Sequence, residues 1–483
     1  MMKKILLSYL FFCLTTPVFA AFEVFPPLPN REFESQNYEV SVEQNGNVRD
    51  SFVLTSVNDT KPERRERMTR ANHWTTFEMD GKVTVRVRKK EGEIKAAVIR
   101  PLSRNVPYKI QEDGSLTFTL EKPENLFIDL EGCEREPLFV FANPLVKENP
   151  TAESDDTHYF GPGIHTIGEF EVTKPKTFLA LGAYVKGTLH FTKELKKVEV
   201  FGSGILSGIE NPHEKEWFSN FPMIEAHGKE TVIRDLTLTD AAGVNILAHG
   251  KSTLCENVKI FAWASCTDGI SGGPSTLIRG CFMKTMDDNI HITVSGTRAE
   301  NCVHYLQAHG SAYVMGWSRT DDTENVHVSG VDIIGDSRVL FIPSSWKLKE
   351  EHRNAAIFVL NNMKGKPNGE GIYYHGLTAE NVRCEVPMML PVAIQIKNDF
   401  RMTNPAGEIV EYSEGFGRVS DLTFRNFTFL AKPRCRSFLD GNGTLDGTIQ
   451  NVTFENWVIE GQKITNPDDL VILRGKTTGV TVR

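Results

Sequence analysis

Beyond its first twenty residues this chain has no apolar run long enough to cross a bilayer as a helix, which takes about 18–20 residues. It also lacks an excess of basic charge, since 54 Lys+Arg stand against 62 Asp+Glu for a formal charge of −8. Phosphate recognition wants a basic face, so nucleic acid is not expected as a partner. No CxxC or His-x-x-x-His spacing occurs, so the sequence gives no sign of a metal site, and no cofactor is expected. The 8 cysteines are too few for a disulfide scaffold of 483 residues. Long helical periodicity is nearly missing, which argues against an α/β barrel.

The N-terminus has the pattern of an export signal. Lys3 and Lys4 precede an apolar run from Ile5 to Leu14, and Val18-Phe19-Ala20 offers a cleavage site. Residues 1–20 are therefore expected to be removed, which takes the formal charge from −8 to −10 with the loss of two lysines. A secreted or periplasmic chain without a membrane anchor is expected. Cys133, Cys255, Cys266, Cys281, Cys302, Cys384 and Cys435 remain. Sequence is silent on oligomeric state.

Two regions follow. From 21 to 147 short alternating stretches, such as Val83-Thr84-Val85-Arg86-Val87-Arg88 and Leu116-Thr117-Phe118-Thr119-Leu120, are separated by turn residues such as Asn45-Gly46-Asn47 and Asp113-Gly114. This pattern predicts an antiparallel β-sandwich. From 148 to 483 hairpins give way to recurrence. A polar or glycine residue leads into a short apolar strand at Asp235, Asn257, Gly280, Asn301, Gly330, Asn381, Asp421 and Asn451. The first intervals are 22, 23 and 21 residues. A coil of that length cannot bury its apolar face alone, and stacking coils builds the core. The expected fold is a right-handed parallel β-helix behind a β-sandwich. Cys281 and Cys302, at equivalent positions in successive coils, are expected to stack inside it, although sequence does not decide whether they are joined. Asn257 and Asn301 are expected to take part in an interior ladder at the coil corners.

Against that period, four ionisable residues acquire meaning. Asp268 precedes Asp287 by 19 residues, and Asp288 precedes His309 by 21. Each step is close to one coil, so all four should meet on adjacent coils, with strands about 4.8 Å apart. In a regular strand one of Asp287 and Asp288 would point inward, unpaired, so the pair is expected at a strand end or corner. Carboxylates this close cannot all ionise normally, and one should hold its proton near neutral pH. An acid beside ionised bases is the arrangement glycosidic cleavage uses.

At these residues the chain resembles the polygalacturonases, which carry Asn-Thr-Asp, Asp-Asp, Gly-His-Gly and Arg-Ile-Lys in that order. The matching segments are Cys266-Thr267-Asp268, Met286-Asp287-Asp288, Ala308-His309-Gly310 and Gln395-Ile396-Lys397. The layout of a β-sandwich before the helix is more similar to the dextranase and isopullulanase family. The resemblance implies an inverting glycoside hydrolase that acts on a polysaccharide or oligosaccharide. Asp287 would be the general acid, and Asp268 and Asp288 would hold and deprotonate the attacking water. Such a mechanism calls for a gap of roughly 6.5–9.5 Å between acid and base. His309 would tune the acid or hold a hydroxyl, and Lys397 would bind the sugar beside the cleavage point.

Departures bear on substrate. Cys266 stands for the expected asparagine and Ala308 for the first glycine. Gln395 stands for the arginine that, with the lysine, would grip a galacturonate carboxylate. The substrate stays open among an α-glucan, a pectic galacturonan and another, for instance sulfated, polysaccharide. So does endo versus exo action. The stretch from Trp317 to Gly371 breaks the repeat. Trp317 and Trp346 within it, with Trp263, are candidates for stacking on sugar faces. A polysaccharide lyase on the same fold and a non-catalytic carbohydrate-binding β-helix are the alternatives.

Overall fold

The computed structural model describes residues 21–57, 69–145, 149–213, 222–264, 266–307, 310–317, 321–341, 356–362, 371–396, 401–403, 409–411, 417–441 and 447–483. The export signal expected at 1–20 lies outside them, as does the boundary placed between 147 and 148.

The first region folds as two packed sheets. One runs in the order Asn47–Ser51, Tyr38–Gln44, Val83–Lys89, Leu116–Leu120, Tyr108–Ile110 and is antiparallel throughout. Alternation works here as expected: Val83, Val85 and Val87 point into the core while Thr84 and Arg86 are half-buried. The second sheet runs Phe22–Val24, Ala71–Met79, Leu138–Pro144, Asn125–Leu130, Ala97–Arg100, with Leu54–Val57 added beside Ala71–Met79. Leu138–Pro144 lies parallel to Ala71–Met79, so the sandwich is mixed rather than purely antiparallel. The strand Leu138–Pro144 is buried on both faces until its last residue. Leu138 and Val140 face the sandwich core, while Phe139 and Phe141 face the β-helix.

From Thr157 onward strands stack in parallel, except that Gln462–Ile464 pairs antiparallel near the end, and among the described residues the sheet they form counts 30 strands. A coil contributes three strands, as in Ile246–Ala248, Ser252–Glu256 and Lys259–Phe261. Each pairs with its counterpart one coil on: Ile270–Ser271, Thr276–Arg279 and Phe282–Lys284. The interior is a continuous apolar column that includes Ile246, Ile270, Ile290, Tyr313, Phe358, Ile394 and Leu439. Cys255, Cys281 and Cys302 are buried in this column as free thiols. This is the right-handed parallel β-helix expected from the repeats.

The corner ladder exists, with two corrections. Asp235, Asn257, Asn301, Asn381, Asn426 and Asn456 adopt positive φ at the corners, and Gly280 and Gly330 fill the intervening rungs. Their amides bond from coil to coil, as in Asn426 Nδ2 to Asn381 Oδ1 at 3.0 Å and Asn456 Nδ2 to Asn426 Oδ1 at 2.9 Å. These side chains run along the outside, because the left-handed backbone turns them away from the core. Asp421 and Asn451 belong to a different corner, where Asn451 bonds Asp421 at 3.0 Å in line with Asn325 and Gly376. Both corners sit inside one long strand in the late coils, so sequence periodicity merged them.

The sandwich docks on the third sheet of the β-helix. Phe127, Phe139, Phe141 and Trp74 pack against Phe261, Phe282 and Tyr305. The contact also buries cations. Lys259 donates to Asp235 O at 2.9 Å, Asn257 O at 2.8 Å and the side chain of Asn143, and burial pushes its amine down to about 8. Asn125 Nδ2 donates to Asn257 Oδ1 at 2.9 Å, so the sandwich reads the corner ladder directly. This docking leaves the first sheet, with Ile246–Ala248, Ile270–Ser271 and Ile290–Ile292, to present its own outer face.

Candidate active site

Asp268 and Asp288 each lie two residues before a strand of that first sheet. Their backbones are one rung apart, since Gly269 N donates to Asp288 O at 2.8 Å. Gly269 is needed for this approach, because a Cβ there would sit 2.1 Å from Asn289 O. Asp268 is further fixed through its carbonyl, which accepts from Asn245 N at 2.8 Å and Asn245 Nδ2 at 2.9 Å. Just before it, Cys266 has φ +57°. Asparagine is enriched in that left-handed region, which accounts for the residue type expected there.

Asp287 and Asp288 occupy a corner rather than a strand, as the pair's chemistry demanded. Asp287 Oδ1 accepts from Asp288 N at 3.0 Å and caps the turn. Thr285 Oγ1 lies 2.7 Å from Asp287 O and 2.7 Å from Asn289 Oδ1. Asn289 Nδ2 lies 2.9 Å from His304 Nδ1, and His304 Nε2 lies 3.0 Å from the Tyr313 hydroxyl. Burial pushes His304 down to about 3, so a neutral imidazole holds this buried chain beneath the turn. From the next coil Ser311 N donates to Asp288 Oδ1 at 2.7 Å.

The three carboxylates of Asp268, Asp287 and Asp288 converge, with one oxygen of each within 4.8 Å of the others. Asp268 and Asp287 are half-buried, whereas Asp288 is 8% exposed. Burial first, then the charges of Asp287 and Asp268, push the Asp288 carboxyl well above its ordinary range.

His309 lies outside the described residues, which resume at Gly310. Gly310 has φ +81°, and a Cβ on it would sit 2.2 Å from Asp287 C. Arg338, in a buried ion pair of 2.8 Å with Asp336, donates to Gly310 O at 2.8 Å. These contacts hold Gly310 against the Asp287–Asp288 turn.

Other expected residues fall differently. Lys397 and Trp346 lie outside the described residues, and Trp317 is described only as the end of the strand Tyr313–Trp317. Trp263 is not a free platform: it is 7% exposed, its Nε1 donates to Asp240 Oδ1 at 2.9 Å, and His213 already stacks on it at 4.5 Å. Gln395 is 1% exposed and donates to the Asn361 side chain on the neighbouring coil. Neither Trp263 nor Gln395 offers a sugar an open surface, because the stacked coils and what covers them bury both.

His291 was missed by sequence. Its Nδ1 lies 3.8 Å from Asp268 Oδ2, and its Nε2 is buried with no hydrogen-bond partner among the described residues. The signal was present, since His291 alternates with the inward-facing Ile290 and Ile292 of the strand after the aspartate pair.

No family model matches the chain. The chain is 23% identical to isopullulanase of Aspergillus niger over 327 residues, covering 54% of this chain and 57% of that protein. The chain thus spans less than two-thirds of the curated relative it matches. In structure it resembles Dex49A from Penicillium minioluteum, with a TM-score of 0.69 at 18% identity over 93% of this chain and 94% of that one. A polygalacturonase from Erwinia carotovora is more distant, with a TM-score of 0.47 at 12% identity over 70% of this chain and 99% of that one. The fold is that of a β-helix protein carrying an N-terminal sandwich. The resemblance to the polygalacturonase and dextranase–isopullulanase superfamily is met in sequence by isopullulanase and in fold by Dex49A.

Proposed function

We propose that this chain is an exported glycoside hydrolase that degrades a polysaccharide. The observation that carries the reading is the convergence of Asp268, Asp287 and Asp288 within 4.8 Å on neighbouring coils, with Asp288 driven toward its protonated form. Groups this close titrate as one unit, so the cluster holds a proton that any single carboxylate would release. Asp287, on the open side of the turn, delivers it to the leaving glycosidic oxygen. With the shared proton passed to Asp287, Asp288 is left ionised, a strengthened base with Oδ1 held by Ser311 N–H, and together with Asp268 it orients and deprotonates the attacking water. His309 and Lys397 assist at the adjoining sugar.

One water in single displacement inverts the anomeric centre. A second reading, attack by a carboxylate with retention, calls for two carboxyl groups about 5–5.5 Å apart. Proton NMR of the first-formed product decides between them. The isopullulanase similarity favours an α-glucan over galacturonan as substrate. Purified full chain is to be assayed on neutral glucans, pectins and sulfated galactans, with reducing-end and chromatographic readout. New reducing ends on a glucan are expected. Ultraviolet-absorbing products lost with a chelator would instead establish a lyase, and no product on any substrate would leave a binding protein.

A further inference from the structure

A second cluster stands on the same face, earlier in the chain. The strands Ile224–Ala226 and Ile246–Ala248 stack with Ala226 beside Ala248, so the residues that follow, His227 and His249, lie one over the other. Their rings are parallel within 6°, with centroids 4.4 Å apart. Glu225 faces the same side, two residues before His227. Its Oε1 lies 3.1 Å from His249 Nε2 and 3.5 Å from His227 Nε2. Its Oε2 lies 3.4 Å from His190 Nδ1 on the preceding rung. One donor atom from each of Glu225, His227 and His249 lies within 4.8 Å of the other two.

The structure assigns to Glu225, His227 and His249 a site for a borderline divalent transition-metal ion such as Zn2+. The ligands are Glu225 Oε1 and the two imidazole Nε2 atoms, and His190 orients the carboxylate through its other oxygen. Metal–ligand bonds of about 2.0–2.1 Å in a tetrahedron place neighbouring donors about 3.3 Å apart. The oxygen-to-nitrogen separations of 3.1 and 3.5 Å bracket that edge. Two imidazoles and one carboxylate suit zinc, copper or nickel, whereas calcium and magnesium take oxygen donors. Three protein ligands leave a fourth position for water or a sugar hydroxyl.

Placement gives the site a use. Glu225, Leu247, Ser271 and His291 form one outward row. At about 4.8 Å per rung Glu225 is three rungs, roughly 14 Å, along the face from His291, and two rungs, roughly 10 Å, from Ser271 on the coil of Asp268. A metal there would anchor a glycan remote from the bond being cut. That use rests on the hydrolase reading, but metal binding does not. The sequence signal is a coil-length one: His227 and His249 are 22 residues apart, as are Asp235 and Asn257.

The test is calorimetric titration of Zn2+ into the chelator-stripped full chain, with thermal melts alongside. One saturable equivalent and a higher Tm are expected. Binding should vanish in His227→Ala/His249→Ala, weaken tenfold or more in Glu225→Gln, and persist in Asp287→Asn. Far-UV circular dichroism reports the fold of each variant. Should the double variant misfold, Co2+ added to the unaltered chain decides, since four-coordinate visible bands support the site and their absence overturns it. No saturable binding, binding retained in a folded double-histidine variant, or binding lost in Asp287→Asn would each refute it, the last by placing the ion on the aspartates.

Discussion

Asp287 and Asp288 are adjacent in sequence yet differ in surroundings. Asp287 caps its own turn on the open side, whereas Asp288 is 8% exposed and crowded by two like charges. Asp287→Asn should lower kcat by about 10²–10⁴-fold while leaving the fold unchanged, as reducing-end assay and circular dichroism will show. Asp288→Asn should also be inactive but more stable than the parent at neutral pH. The sign follows from linkage. A carboxyl raised in the folded state contributes stability that is full below the unfolded value near 4 and is lost as pH rises through the folded value. The asparagine variant escapes that loss, so its advantage should widen as pH rises from about 4, measured by denaturant unfolding at several pH values. A constant difference across pH would contradict the crowding of Asp288.

At the scale of elements, the corner between coils matters more than the strand. Gly310 combines φ +81° with a backbone approach to Asp287 that leaves no room for a Cβ. Gly310→Ala should cost roughly 1–3 kcal/mol in stability and displace the aspartate turn, lowering kcat more than it changes KM. Asn426 bonds both Asn381 and Asn456, so Asn426→Ala should cost about 1–3 kcal/mol by loss of bonds and of its left-handed preference. The same substitution should leave kcat unchanged, since this corner is remote from the carboxylates in the chain of coils. The coil period was legible because one polar corner residue and one apolar strand recur together. The late coils were misread because two corners share one long strand, and spacing alone does not say which corner an asparagine occupies. His291 could have been found by alternation, but its nearness to Asp268 depends on the register between coils.

Across the whole molecule, the sandwich and the β-helix share an aromatic seam around Phe139, whose ring lies 5.2 Å from those of Phe127, Phe261 and Phe282. Phe139→Ala should cost about 3–5 kcal/mol, read as a lower denaturant midpoint, because the cavity opens between two elements that cannot both collapse into it. The seam was invisible in sequence, where Phe139 and Phe141 are merely alternate residues of a strand buried on both sides. By itself the sequence determined the stacked-coil fold and the meeting of three aspartates, because both follow from a period repeated along the chain. Only the tertiary structure decided that Asp288 is the buried member, that Trp263 and Gln395 are covered, and that two histidines and a glutamate converge on a second site. Burial and convergence depend on what distant segments lay over a residue, and a local period carries no record of that.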